Sequence, residues 1–449
     1  MRFSGVSRTL AAAAALALIA GACGTAANNS TTTSGAGGTT SATNQASAPG
    51  ITPTQITLGS TQPLSGPAAP GYSEIAPASN AVFKWVDAHG GIYGRMIKYD
   101  YLNDQYNPTL TVSLTRQLVS MPVFADFNPL GTPTQVQVEP YLNQQGVPQL
   151  FVASGCNCWN QLPQDKWTFG WQTDYTIEGK ILAKYITGKF SGQSVGYIYQ
   201  DDEFGQDGIA GLNDGIPSAD VAAQKSYTIP ELSAAAGLGA QVAALQAAHV
   251  KVAVLFTIPA ATAEVLLAAA VLGYHPQWVV SSVGADITTL TGLLQAFSKG
   301  KAGGALLNGV ITAGYLPAVT DTANPWVSLF KQIWTAYDSN NKFDGNTEYG
   351  LAVGITMVEL LQAAGRNPTR ASLVNTLESE GAMLNGPGVV PLSYSSSDHY
   401  GYQGEYVTQI MNGAYNTLSP AYVGTNTGAV STFGGTLHST PPSFTSPSF

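Results

Sequence analysis

The sequence predicts an α/β protein made of two Rossmann-like lobes, each with a parallel sheet flanked by helices. Three observations predict it. From Ile56 onward, short β-rich runs alternate with stretches of helical periodicity, the pattern of strands covered by crossover helices. Of the 449 residues 44% are hydrophobic, enough for two domain-sized cores. Only 10% are charged, whereas 49 glycines and 26 prolines supply the many turns that repeated βα connections need.

The elements follow in order. Ile56 to Ser60 reads as a strand and is followed by a Pro/Gly loop. Ile75, Ala78, Val82, Trp85 and Val86 then recur at helical spacing until Gly90-Gly91 stops the helix. Met96 to Tyr101 reads as the next strand. Val195 to Tyr199, Val252 to Phe256 and Trp278 to Ser281 are short apolar runs, each followed by a loop and a helical pattern, and form the βα units of the second lobe. In open parallel sheets, ligands bind outside the carboxyl ends of the strands. The crevice loops are therefore Gln62 to Gly71, Asn128 to Thr134, Ser154 to Asn160, Gln200 to Gly205, Thr257 to Thr262 and Ser282 to Asp286.

Before the first strand, Arg2 and Arg8 precede an apolar run from Leu10 to Ala20, and Gly21-Ala22 lead into Cys23. The run is too short to span a bilayer. Small residues before a cysteine resemble a bacterial lipobox, so residues 1–22 read as a signal peptide and Cys23 as the lipidated first mature residue. Residues 23–51, nearly all Ser, Thr, Gly, Ala and Asn, read as a tether without enough apolar surface to fold. The expected location is the outer face of the bacterial cell membrane.

A net charge of −9 leaves no basic face for a phosphate backbone, so nucleic acid is not an expected partner. The five histidines show no metal-ligand spacing, and GxSxG, GxxxxGK[ST] and strand-linked GxGxxG motifs are absent. No metal, cofactor or catalytic residue is expected, and the chain does not read as an enzyme. Asp201-Asp202-Glu203 reads as a loop that caps the next helix. Cys156 and Cys158, two residues apart on a crevice loop, leave a disulfide and two free thiols equally open. Tyr72, Trp159, Trp167, Trp171, Tyr175 and Phe204 gather near the presumed cleft and favour a pocket with apolar walls and a few fixed polar groups.

The order of motifs resembles the branched-chain amino acid (Leu/Ile/Val) binding proteins, the type I periplasmic binding family that serves ABC importers. The matching stretches are Gly59-Ser-Thr-Gln-Pro-Leu-Ser-Gly66, Trp85-Val-Asp-Ala-His-Gly-Gly-Ile-Tyr-Gly-Arg95, Asp104-Gln-Tyr-Asn-Pro108, Gly131-Thr-Pro-Thr134, Tyr199-Gln-Asp-Asp-Glu-Phe-Gly205 and Glu348-Tyr-Gly350 before an apolar helix. They cover roughly residues 52 to 420. The resemblance implies two lobes joined by a three-segment hinge that closes on ligand: 52–172 with 313–385, and 173–312 with 386–425, followed by a flexible tail, 426–449.

It also implies a ligand site. Thr132 falls where a hydroxyl holds the ligand carboxylate, Ala153 matches a backbone contact, Gly155 stands where a second hydroxyl would be, and Phe204 covers the ligand. Ser154 and Thr257 from the crevice loops, and Tyr72 and Tyr175 from the aromatics near the cleft, complete the set. The acidic partner of a ligand ammonium should fall near Ser282 or Val283, neither of which is acidic; Asp286 stands close by. The expected ligand is therefore a branched-chain amino acid-like compound, a small organic or aromatic acid, or an amide, held through a carboxylate or similar acceptor with no obligatory ammonium. The implied function is capture of that molecule and delivery to ABC permease subunits. The alternatives are a ligand-sensing lipoprotein that signals to a membrane partner and, further off, an extracytoplasmic hydrolase.

Overall fold

A computed structural model describes residues 43–233, 237–437 and 440–442. The expected signal peptide, Cys23 and the tether up to residue 42 lie outside the described residues, as does most of the end of the tail.

The first sheet contains β1 (Gln55–Gln62), β2 (Met96–Asn103), β3 (Ala125–Phe127), β4 (Gln149–Val152) and β5 (Thr168–Gly170), all parallel in the order β2-β1-β3-β4-β5. β1 runs two residues beyond the apolar stretch that predicts it, staying in register with β2 as far as Gln62 opposite Asn103. Its polar end is buried because distant groups satisfy it: Gln62 Nε2 donates to the Asn128 carbonyl (2.6 Å), and Gln135 Nε2 donates to Thr61 Oγ1 (3.0 Å).

The second sheet is built on β6 (Val195–Gln200), β7 (Val221–Tyr227), β8 (Val252–Phe256), β9 (Gln277–Val280) and β10 (Ile311–Gly314), parallel in the order β7-β6-β8-β9-β10. The chain then returns in antiparallel fashion. β11 (Gly404–Met411) pairs with β10 and with the hairpin strand β12 (Ala414–Thr417), and β13 (Tyr422–Val423) and β14 (Ser431–Thr432) extend the edge.

The chain crosses between the sheets three times, through residues 171–174, 315–324 and 384–403. After the second crossing, helices Pro325–Tyr337 and Gly345–Ala363 pack on Ile75–Ala88, the helix that follows β1. Trp171 fills the first crossing. Its Nε1 donates to Thr356 Oγ1 (3.1 Å), and its ring meets Tyr315, Tyr349 and Tyr402 edge-on. The tryptophan is a fully buried joint between the crossings rather than a cleft wall.

Two segments expected to be loose are tied down where described. In 43–51, assigned by composition to the tether, Asn44 Nδ2 donates to Pro53 O (2.9 Å), Gln45 O accepts from Arg95 Nη2 (2.9 Å) and Ile51 is buried. Residues 426–432, assigned to the tail, include β14. Just before it, Lys180 Nζ donates to the carbonyls of Thr425, Asn426 and Gly428 at 3.3, 2.8 and 2.9 Å. A buried ammonium needs such acceptors, and composition alone does not reveal it.

Candidate functional site

A cavity of about 180 Å³ lies between the carboxyl ends of the two sheets. From the first sheet, Tyr72, Thr132 and Ala153 reach it; from the second come Phe204, Ile258 and the segment Ser282 to Asp286. Four of the six crevice loops therefore line one space directly, and Tyr72 and Ala153, each next to one of the other two, line it as well.

The Ser154 to Asn160 loop turns away from it. There Cys156 and Cys158 are bonded (Sγ–Sγ 2.06 Å), residues Asn157–Asn160 form a single 3-10 turn, and the buried Trp159 donates from Nε1 to Ser154 O (3.0 Å). Trp159 thus anchors the loop instead of facing ligand. Trp167, immediately before β5, is half-buried outside the cavity lining, with Lys166 over its ring.

Thr132 begins the short helix Thr132–Gln135 and lines the cavity, with its hydroxyl 2.6 Å from Ser154 Oγ. Ser154 stands behind it and fixes its rotamer. Thr257 is also buried outside the lining, where its hydroxyl meets Thr262 Oγ1 (2.6 Å) and ties the end of β8 to the helix Pro259–Leu272. Tyr175 and Phe204 stack obliquely with centroids 4.6 Å apart, and Tyr175 N donates to Gly155 O (2.7 Å). A Cβ at Gly155 would sit 2.2 Å from Thr173 O, which explains a glycine where a second hydroxyl was expected.

The cavity is closed by hydrogen bonds between its two sides. Tyr72 Oη donates to Val283 O (3.0 Å), and Asn346 Nδ2 donates to Thr289 Oγ1 (3.1 Å). Asp207, on the helix Glu203–Gly215, accepts from both the backbone and the side-chain nitrogen of Asn157 (2.9 and 2.8 Å). Asp286 lines the cavity, but both its oxygens are engaged: Oδ1 accepts from Thr289 N (2.7 Å), capping Ile287–Phe297, and Oδ2 accepts from Gly345 N (3.1 Å). The carboxylate is a cap and a bridge, already paired at both oxygens. Asp202 caps Glu203–Gly215 through Phe204 N (3.1 Å), the role its position predicts.

Among the described residues no Lys, Arg or His lines the cavity; its titratable side chains are tyrosines and the carboxyls of Asp286 and Glu348. Burial, reinforced by Asp286, pushes the Glu348 carboxyl well above the usual range. Behind the second wall, buried Glu178 accepts from Ser282 N (2.5 Å) and Oγ (3.3 Å), which sets the Ser282 segment in place. Burial raises its pKa to about 7. The arrangement can hold a small molecule through a hydroxyl, backbone groups and a carboxyl between aromatic walls. Sequence reasoning missed Glu348, Tyr406 and Tyr415 as lining residues. The first stood in view as part of the Glu348-Tyr-Gly350 match, whereas the tyrosines lie on the returning antiparallel strands, which no apolar run announces.

A family model described as periplasmic binding protein matches residues 55–414. No curated protein sequence matches the chain. Among solved structures, the chain is similar to a substrate-binding periplasmic protein from Ralstonia solanacearum (TM-score 0.72, 20% identity, 81% of this chain and 99% of that one). It is similar to a fatty acid ABC transporter substrate-binding protein from Thermomonospora curvata (0.73, 19%, 84% and 95%). A branched chain amino acid ABC transporter from Thermus thermophilus with bound valine gives 0.72, 17%, 83% and 97%. At these identities the likeness establishes the fold.

Proposed function

We propose, because this chain belongs to the periplasmic binding protein family, that it is the extracytoplasmic receptor of an ABC importer, capturing a small molecule between two lobes and presenting it to the permease. The family consists of substrate-binding proteins rather than enzymes. The observation that carries the reading is a small, aromatic-walled cavity bridged from both sides by Tyr72, Asp286 and Asn157. Such bridges form only when the sides are together, so a ligand that adds contacts to both would favour the closed state. The moving bodies are residues 52–172 with 313–385 and 173–312 with 386–425. The ligand is a branched-chain amino acid-like compound, a small organic or aromatic acid, or an amide; the bound valine and the fatty acid in the names of two structural relatives are consistent with that range.

Thermal shift tests this reading. A ligand at about 100 times its dissociation constant adds ~2.7 kcal/mol, a melting shift of about 5–10 °C for lobes of this size. The panel is leucine, isoleucine and valine, their 2-keto acids, benzoate and benzamide. Thr132→Val keeps the shape but removes the hydroxyl beside Ser154, and should weaken the responding ligand about 5- to 100-fold. A panel that leaves the melting temperature unchanged would sink the assignment of ligand class.

The anchor is a lipid on Cys23. Cys23→Ser is expected to move the protein from the membrane fraction into the medium with ligand affinity intact, and a variant that remains membrane-bound would refute the anchor.

A further inference from the structure

The polar groups around the cavity are mostly spoken for. Tyr72, Tyr406 and Tyr415 donate their hydroxyl hydrogens to the carbonyls of Val283, Leu316 and Ala285, and Tyr349 Oη accepts from Asn128 Nδ2. Both Asp286 oxygens are engaged. Glu348 is the exception. It is 2% exposed and lines the cavity, and its Oε1 has no hydrogen-bond partner among the described residues. Its own helix does not need it as a cap, because Asp344 already accepts from Asn346 N and Thr347 N (3.1 Å each). Buried polar atoms are almost always paired, so one left over at a ligand cavity calls for a partner on the ligand.

Wherever the Glu348 proton sits, the carboxyl oxygen that does not carry it is an acceptor, and its partner is a donor. Asp286 lies near enough to Glu348 to act on its charge, and among the described residues no Lys, Arg or His lines the space. A ligand whose only polar group is a carboxylate would meet carboxyls there without a compensating cation. Sequence reasoning looked for an acidic partner on the second lobe, near residues 282–286; Glu348 offers one from the helix Gly345–Ala363, which packs on the first.

We propose that Glu348 is a specificity-determining residue of the cleft: its unpaired oxygen accepts an N–H of the ligand, selecting amino acids or amides over matching molecules that carry only a carboxylate. The inference rests on the cavity being the ligand site. It narrows the expected range by removing the simple acids.

Matched pairs test it, with leucine against its 2-keto acid and benzamide against benzoate, on wild type, Glu348→Leu and Glu348→Gln. In at least one pair the N–H-bearing member should stabilise the wild type and its acid should not. Glu348→Leu should weaken that response about tenfold or more. It should also raise the melting temperature of the free protein, because an unpaired buried carboxyl is gone; a purely structural role would lower it. Glu348→Gln keeps an acceptor oxygen and should retain an amide within a few-fold while losing an ammonium. For an ammonium ligand, calorimetry in two buffers should register proton release in the wild type, since Glu348 must ionise to pair with it.

A response in the wild type that survives both substitutions, or acids that bind as well as their N–H partners, would overturn the role of Glu348 and leave the binding function standing. A wild type that answers to no member of the panel would overturn the ligand class and the reading above with it.

Discussion

Gly208→Leu is expected to leave the protein largely unfolded at room temperature. The helices Tyr175–Lys189 and Glu203–Gly215 approach each other backbone to backbone over the second sheet. A Cβ at Gly208 would lie 2.2 Å from two atoms of the Phe256 ring, and one at Gly211 would lie 2.1 Å from Thr176 O. Phe256 is fully buried at the end of β8 and cannot withdraw, and its ring neighbours Phe204, which lines the cavity, at 6.0 Å. Overpacking of a filled core typically costs about 1–3 kcal/mol. A leucine driven into the ring of a fully buried strand residue belongs with the exceptional losses above about 4 kcal/mol, a large part of the stability of most domains. Gly208→Ala should cost less, on the order of 1–3 kcal/mol. Gly188→Leu, in the same helix layer but with no atom within 4 Å of its Cβ position, should be neutral and serves as the control. Urea unfolding followed by circular dichroism decides the matter; a midpoint for Gly208→Leu near that of the wild type would refute the close packing.

The same region shows why some of the architecture was legible in the sequence and some was not. Val252–Phe256 was read residue for residue and Trp278 to Ser281 to within one, because a buried parallel strand is a continuous apolar run with turn residues on either side. Gly205, Gly208 and Gly211 recur every three residues, but whether such a row faces solvent or another backbone depends on a neighbouring helix some 30 positions earlier in the chain. The extension of β1 escaped notice for a related reason. Thr61 and Gln62 look like the start of a loop until Asn128 and Gln135 arrive from distant segments to satisfy them.

The cleft divides in the same way. Thr132, Tyr72, Tyr175 and Phe204 stand at or beside strand ends, where topology alone directs them to a common crevice. Trp159 and Trp171 stand near strand ends too, but hydrophobicity does not say which way a side chain turns; an indole N–H bonded to Ser154 O or Thr356 Oγ1 does. Glu348 and Tyr415 enter the site only because the chain crosses back, a long-range event without a local signature.

The stability of the folded body is expected to fall as pH rises from about 5 to about 8. Burial, the largest cause in each case, raises the pKa of Asp174 and Glu178 to about 7 and of Asp126 and Glu359 to about 8. All four side chains belong to residues no more than 8% exposed. In the unfolded chain the same carboxyls lose their protons near pH 4. Between these limits the folded state holds protons that the unfolded state has released, so raising the pH favours unfolding. Below about pH 4 both states are protonated and the dependence disappears.

Asp126 is the sharpest probe, since neither of its carboxyl oxygens has a hydrogen-bond partner among the described residues and nearby Asp104 adds to the effect of burial. Each unit of pKa difference corresponds to ~1.4 kcal/mol, so the four groups together should lower the melting temperature by on the order of 5 °C or more between pH 5 and pH 8. Asp126→Asn cannot ionise and should flatten the curve, gaining on the wild type at pH 8 relative to pH 5. Melting curves of both proteins across this range are the measurement. A wild type that gains stability toward pH 8, or a variant with an unchanged slope, would mean that these carboxyls ionise inside the folded protein without penalty, and that water or a counter-charge reaches Asp126 beneath β3.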